Sequence, residues 1–263
     1  MSQKKPETLD EYRQWLLKEH GEQISSRTAT YYESVASAIA RSFQESVFWV
    51  HLKDELREMD SAYLIETGYP LWASEPQPVL IIKSFESFFL KTFRRNVLEN
   101  GRWPNPPKGG WLTPGNWYER VNDIVRGFLV VKYLDGVQFS VDKILDLSKA
   151  CEIEMEHALE AREQGYYAAH CYFRYEVEIP RFDWDTTTIT ASIELQITTQ
   201  LQEVIRKLTH RYYEDRRIRT VPSNQKWQWD YSSDEFIANY LGHILHYLEG
   251  MIMEVRDRQR RKG

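Results

Sequence analysis

Thr188–Glu214 reads TITASIELQITTQLQEVIRKLTHRYYE, and the period of its apolar residues changes midway. Ile189, Ala191, Ile193, Leu195 and Ile197 alternate with Thr190, Ser192, Glu194, Gln196 and Thr198, the two-residue repeat of a strand with one buried face. From Thr199 the repeat becomes helical, with Leu201, Val204, Ile205 and Leu208 on one side. Glu194 and Gln196 therefore share the face opposite the apolar one, just before a strand turns into a helix. A carboxylate and an amide so placed can hold a metal ion or meet a polar substrate. An edge strand with polar residues facing water gives the same alternation, so this stretch alone leaves both readings open.

The bulk properties narrow the class. At 263 residues the chain is one large domain or a catalytic domain with helical additions. Its net charge of −5 argues against a broadly basic nucleic-acid coat, while a local basic patch stays open. Cys151 and Cys171 form no metal-spaced cluster, which fits a reducing compartment. The first residues, MSQKKPETLDEY, lack the apolar core of a signal peptide, and no apolar run approaches membrane-spanning length. The expectation is a cytoplasmic protein without a membrane partner.

Before the opening stretch, residues 8–20 read as a helix capped by Thr8 and stopped by Gly21. Two more helices are expected between Ser25 and Met59, with Tyr31, Val35, Ile39 and Phe43, then Val47, Val50, Leu52 and Leu56, as their apolar faces. His51 among them reads as a packing or surface residue. Val79–Ile82 reads as a short buried strand leading into a helix on which Lys83, Ser87 and Lys91 form one stripe. A strand entering such a helix suits a triphosphate, because free N–H groups, the helix dipole and ammonium groups converge there. A solvated basic face fits the same spacing.

The Pro/Gly-rich segment 101–118 carries Trp103, Trp111 and Trp117, read as anchors of an irregular loop. A second strand is expected within Val121–Val137, followed by a helix from Phe139 to Ala150. Arg162–His170, REQGYYAAH, joins a turn glycine to Tyr166 and His170 ahead of another strand. Beyond His210 the chain turns basic, with Arg211, Arg216, Arg217 and Arg219. A last helix is expected over Ser233–Arg258, where His243 and His246 lack an evident third metal ligand.

Glu-x-Gln-Ile-x-Thr at 194–199, followed by a helix and His210, resembles the signature of RelA/SpoT-type synthetases, which transfer pyrophosphate from ATP to the 3′ hydroxyl of a guanosine nucleotide. Three further matches follow the family's order: Lys83-x3-Ser87-x3-Lys91, Asp123, and the cation-x-x-Gly-Tyr-x-x-x-His loop at Arg162, Gly165, Tyr166 and His170. Together they cover about half of the chain. The departures are specific: Thr198 stands for an Arg and Ile205 for a Trp. Arg126 stands for a Gly, Phe128 and Ile81 for two arginines that flank the donor adenine, and Tyr167 for a cation. No His-Asp dipeptide of the family's hydrolases occurs, which implies synthesis without degradation.

The resemblance implies an α+β fold: a mixed sheet of about five strands flanked by helices, nucleotidyltransferase-like, with N- and C-terminal helical additions. It divides the chain into a helical region 1–70, a synthetase core 71–220 and a C-terminal helix with basic tail, 221–263. Asp123 and Glu194 would be catalytic and hold Mg²⁺ from neighbouring strands. Lys83, Ser87, Lys91 and Arg126 would bind ATP phosphates, with Ile81 and Phe128 on the adenine. Arg162, Tyr166, His170, Gln196 and His210 would face the acceptor. Glu203 replaces a guanine-reading Asn, and the lost arginines look like the toxic branch of small alarmone synthetases, which works against a neutralising antitoxin. That branch implies the tRNA 3′ CCA end as acceptor, with Arg216 and Arg217 on the tRNA body. Synthesis of (p)ppGpp or (p)ppApp, with a guanosine or adenosine nucleotide as acceptor, is the second reading. A nucleotide-binding regulator without turnover is the third.

Overall fold

The computed structural model describes residues 4–181, 185–208 and 227–260; His210, Arg216 and Arg217 lie outside them. Its helices are α1 (Leu9–His20), α2 (Ser26–Glu45), α3 (Val47–Thr67), α4 (Phe85–Phe93), α5 (Trp117–Arg120), α6 (Asp135–Ala150), α7 (200–208) and α8 (Asp234–Arg260). A π-helical turn, Arg94–Leu98, extends α4. The strands are β1 (Ile81–Ile82), β2 (Val125–Val131), β3 (Glu154–Ala161), β4 (Tyr167–Pro180) and β5 (Thr186–Thr199). They form one five-stranded mixed sheet in the order β1-β2-β5-β4-β3, flanked by helices. The α+β class is the one the motifs implied.

Local chemistry sets the helix ends. Thr8 accepts the Glu11 N–H at 3.2 Å, and Gly21 closes α1 at φ 71°, a left-handed conformation that a Cβ disfavours. Ser84 caps α4 by accepting the Ser87 N–H. The helix thus begins at Phe85 and Lys83 precedes it, a correction to the stripe of Lys83, Ser87 and Lys91. Other expectations shift as well. Tyr32 and not Tyr31 lies buried on α2, and on α3 Phe48, Leu52, Leu56, Met59 and Tyr63 are buried while Val47 and Val50 are exposed. The strand within Val121–Val137 is confined to β2, and α6 starts at Asp135 instead of Phe139. Around Val79 only Ile81 and Ile82 pair, antiparallel to β2, and both Val79 and Ile81 are exposed because β1 is a sheet edge.

The chain forms two compact units, each drawn from three segments. The first comprises Met1–Trp49, Leu80–Gly127 and Tyr172–Glu194. Its core joins Tyr32, Val35, Ile39 and Phe43 of α2 to Phe85, Phe88, Phe89 and Phe93 of α4 and to Trp117, with Tyr32 stacked on Phe88 at 4.6 Å between ring centroids. The Trp-rich loop is anchored to α1, Trp103 and Trp111 lying 5.5 and 4.9 Å from Trp15. Fully buried Asn96 ties three segments together. Its Nδ2 donates to the Tyr12 hydroxyl (2.7 Å) and the Leu112 carbonyl (2.8 Å), while its Oδ1 accepts the Leu112 N–H (3.0 Å).

The second unit comprises Val50–Val79, Phe128–Cys171 and Leu195–Gly263. Here Arg256 of α8 is buried against α3 and α6, donating to the Tyr63 hydroxyl (2.8 Å) and to both oxygens of Asp135. Burial alone would lower the guanidinium pKa; the Asp135 and Tyr63 oxygens outweigh it and raise the pKa.

Asn96→Ala should lower the stability of the protein by about 2–4 kcal/mol, since it leaves the buried Leu112 N–H and carbonyl without their side-chain partner and the Tyr12 hydroxyl with Thr92 alone. Urea denaturation followed by tryptophan fluorescence measures it, and an unchanged midpoint would show that the network contributes nothing.

Candidate active site

The expected donor residues Ile81, Lys83, Ser87, Lys91, Asp123 and Arg126 all belong to the first unit, together with Glu194. Asp123 is their centre. It sits in the turn before β2, and its carboxylate accepts Lys83 Nζ at 2.7 Å on one oxygen and Lys91 Nζ at 2.6 Å on the other. The three side chains are 14, 11 and 25% exposed. Burial raises the Asp123 pKa, but the Lys91 and Lys83 ammoniums outweigh it and hold the carboxyl well below the usual range. Burial pushes Lys91 down, and the Lys83 and Arg95 charges add to that against the pull of Asp123.

Lys83 is fixed from both sides of its backbone. Its N–H donates to the Ile124 carbonyl (2.9 Å) and its carbonyl accepts the buried Tyr32 hydroxyl (3.0 Å). Pairing of Ile81 with Arg126 in the β1–β2 ladder then sets the spacing between Lys83 and Asp123.

Glu194 is buried, at 3% exposure, and so are Ile193 and Leu195 on either side. The expectation is a strand with one buried face; in the first half of β5 the residues alternate between exposed and half-buried up to Thr190. In the second half both faces are covered, because β5 is the middle strand of a sheet flanked by helices. Glu194 and Gln196 do share one face, with Gln196 half-buried.

Arg162, Tyr166, His170 and Gln196 belong to the second unit, as does Phe128. The loop residues meet one another. The Arg162 guanidinium lies 5.2 Å from the centre of the Tyr166 ring, and the Tyr166 hydroxyl is 2.8 Å from Nε2 of buried His170. Phe128 carries the Arg206 guanidinium at 4.7 Å from its centroid, a cation–π contact. Arg206 in turn donates from Nε and Nη2 to the two oxygens of Glu203 at 2.6 and 2.8 Å. Burial would raise the Glu203 pKa; the Arg206 and Lys207 cations lower it further than that. The role of Arg206 is absent from the sequence reading. Its three-residue spacing from Glu203 on α7 was the available signal, but its stacking on Phe128 depends on a residue far away in sequence.

Magnesium is commonly held by one or two carboxylates together with substrate phosphates and water. Asp123, kept ionised, and buried Glu194 are carboxylates of that kind in the first unit, with both oxygens of Asp123 bonded to lysine ammoniums. Among the described residues no group of three or more His, Cys, Asp or Glu is placed to hold a metal ion. A cation held by these two carboxylates would need further oxygens from phosphates or water. His243 and His246 are engaged elsewhere, with Tyr167. Among the described residues, no helix is long and apolar enough to cross a membrane.

No family model matches the chain, and no curated protein matches it. Solved structures do. A GTP pyrophosphokinase family protein from Streptococcus pneumoniae superposes with a TM-score of 0.52 at 18% identity, over 84% of this chain and 95% of that one. Small alarmone synthetase 1 from Bacillus subtilis bound to its product pppGpp gives 0.52 at 12% identity, over 95% and 99% of the two chains. The chain has the small alarmone synthetase fold. A second structure of the Bacillus subtilis synthetase, covering 90% of this chain and 97% of its own, agrees at 0.50 and 12% identity. At these identities the likeness carries the synthetase fold and not the roles of residues.

A double-mutant cycle on Glu203→Gln and Arg206→Ala should give a coupling of about 1–2 kcal/mol in unfolding free energy, as expected for a bidentate pair that is mostly buried. Coupling near zero would show that the pair does not form in solution.

Proposed function

We propose that the protein is an ATP-dependent pyrophosphotransferase whose acceptor is the 3′ end of tRNA. The observation that carries the transferase reading is the half-buried Lys83–Asp123–Lys91 group, within a fold shared with pyrophosphokinases. Two ammoniums on one carboxylate leave an excess positive charge in a low-dielectric place, which suits a polyphosphate. In this reading Lys83, Ser87, Lys91 and Arg126 hold the ATP phosphates, and Ile81 and Phe128 flank the adenine. Residues 71–220 form the core that does this, between the segments 1–70 and 221–263. When bound, magnesium neutralises charge on the phosphate oxygens; Asp123 and Glu194 would hold it.

The reaction moves two phosphoryl groups as one. The acceptor 3′ oxygen bonds to the β-phosphorus, the bond from that phosphorus to the α-phosphate oxygen breaks, and AMP leaves. Glu194 takes the hydroxyl proton. Arg162, Tyr166, His170, Gln196 and His210 would position the acceptor, and Arg216 and Arg217 would meet tRNA phosphates. The state of Glu203 supports tRNA over a guanosine nucleotide: both of its oxygens already accept from Arg206, so they are not offered to a guanine edge. A terminal adenosine needs a stacking face, which Tyr166 supplies. A protein that caps tRNA ends would arrest translation in the cytoplasm and require a neutralising antitoxin.

A second reading, synthesis of (p)ppGpp or (p)ppApp, is supported by the fold shared with an enzyme whose structure holds pppGpp. Turnover is favoured over a silent nucleotide-binding regulator by the presence of both Asp123 and Glu194.

Incubation with β,γ-labelled ATP and deacylated tRNA, tRNA lacking its terminal adenosine, GDP, GTP or AMP tests the acceptor. Label should appear on intact tRNA alone, in a reaction that weakens steeply with salt. Label on the nucleotides and never on tRNA would replace this reading with the second. Glu194→Gln should cut transfer by orders of magnitude while ATP still binds; equal rates in the two proteins would remove Glu194 from the chemistry.

A further inference from the structure

The loop that carries Tyr166 closes on itself, the Arg162 N–H donating to the Tyr166 carbonyl (3.0 Å) and the Gly165 N–H to the Arg162 carbonyl (2.9 Å), and the closed turn rests on α8. Gly165 takes φ +74°, and a Cβ built on it would lie 2.3 Å from the Asn239 carbonyl oxygen and 3.0 Å from the His243 nitrogen, both on α8. The approach is mutual: a Cβ on Gly242 would lie 2.3 Å from the Gly165 carbonyl oxygen. Two backbones meet here with no side chain between them, which only a pair of glycines permits.

His243, the next residue on α8, bonds the loop on both sides of that contact. Its Nε2 is 2.9 Å from the Glu163 carbonyl, which can only accept, so Nε2 carries the proton. Its Nδ1 lies 2.8 Å from the Tyr167 hydroxyl, which donates to it in the neutral ring. The Tyr167 ring stacks on His246 at 3.7 Å and 7° between planes. The start of α7 is tied to the same helix: Gln202 donates to the Gly242 carbonyl at 3.2 Å, and the Thr199 hydroxyl bonds buried Glu249. One face of α8 thus holds Glu163, Gly165 and Tyr167, the residues on either side of Tyr166.

We infer that Gly242 and His243 are positioning residues for the acceptor: α8 fixes the height and direction of the 162–170 loop and so where Tyr166 presents its ring. This rests on the reading of that loop as the acceptor-binding segment. It gives the C-terminal helix a part in the reaction through placement, since transfer depends on holding the acceptor hydroxyl within a fraction of an ångström of its line of attack.

Gly250 provides the control. It lies on the same helix, and a Cβ there meets nothing within 4 Å. Both Gly242→Ala and Gly250→Ala add one methyl and the same gain in helix propensity. In steady-state assays Gly242→Ala should raise the acceptor KM by on the order of tenfold and leave the ATP KM within about twofold, while Gly250→Ala changes neither. His243→Phe, which keeps a ring but loses both bonds, should move the same parameter in the same direction. Hydrogen exchange should show faster exchange of the Gly165 and Arg162 amides in Gly242→Ala and His243→Phe only.

An acceptor KM unchanged in both variants, with their loop amides exchanging faster, would overturn the inference and leave the transferase reading standing. Equal rises in both KM values would also overturn it, showing a general loss of structure. A wild-type protein that labels no acceptor at all would instead bring down the transferase reading itself, a result already visible before any variant is made.

Discussion

Asp123 is the constraint around which the first unit is organised. A half-buried carboxylate with an ammonium on each oxygen forces three separate pieces of chain to a common point: the second residue before α4, the end of α4 and the turn entering β2. The geometry requires Lys83 to leave the helix, which Ser84 accomplishes by capping one residue later. It requires β1 to pair with β2 in the register that sets Ile82 against Val125. It also requires the Tyr32 hydroxyl to reach the Lys83 carbonyl from α2. Replacing buried charges by apolar residues of similar size is often neutral or stabilising, so stability alone is a weak reason for such a group. The proposed triphosphate is a better one: the lysines that hold Asp123 ionised are also the cations a polyphosphate would meet.

Much of the fold was legible because its signals are local. Thr8 and Gly21 mark the ends of α1, the change of period at Thr199 marks the passage from β5 to α7, and Gly165 marks a turn. What failed was phase and cover. A long helix keeps its period while the buried side drifts, so the repeat that points to Tyr31, Val47 and Val50 misses Tyr32, Phe48 and Trp49, which are the buried residues. Alternation on β5 reports the difference between its two faces and not their absolute exposure. Alternation puts Glu194 on the face opposite the apolar one, and the middle strand of a covered sheet buries that face as well.

The candidate residues were legible as types at spacings, but their partners were not. Nothing local connects Lys83 with Asp123, 40 residues apart, or Tyr167 with His243, 76 apart. His243 and His246 illustrate the difficulty: their spacing suggests a metal pair, and tertiary structure gives them a tyrosine to share. Two glycines separated by most of a domain, each intelligible only as the other's neighbour, lie beyond any reading of one segment at a time.

On the proposed reading, selectivity for the acceptor follows from what the second unit withholds. A carboxylate at Glu203 with its oxygens available would match the paired N–H donors along one edge of guanine. Arg206 occupies both oxygens and itself lies over the Phe128 ring, so exchanging one partner for the other would break a bidentate ion pair and a cation–π contact together. The groups that remain around Tyr166 are ring faces and cations. Faces accept any base at similar strength, and cations read phosphate and not sequence. Such a set selects by the presence of a stackable end with a free hydroxyl and a charged body behind it, which describes a polynucleotide terminus more closely than a free guanosine nucleotide.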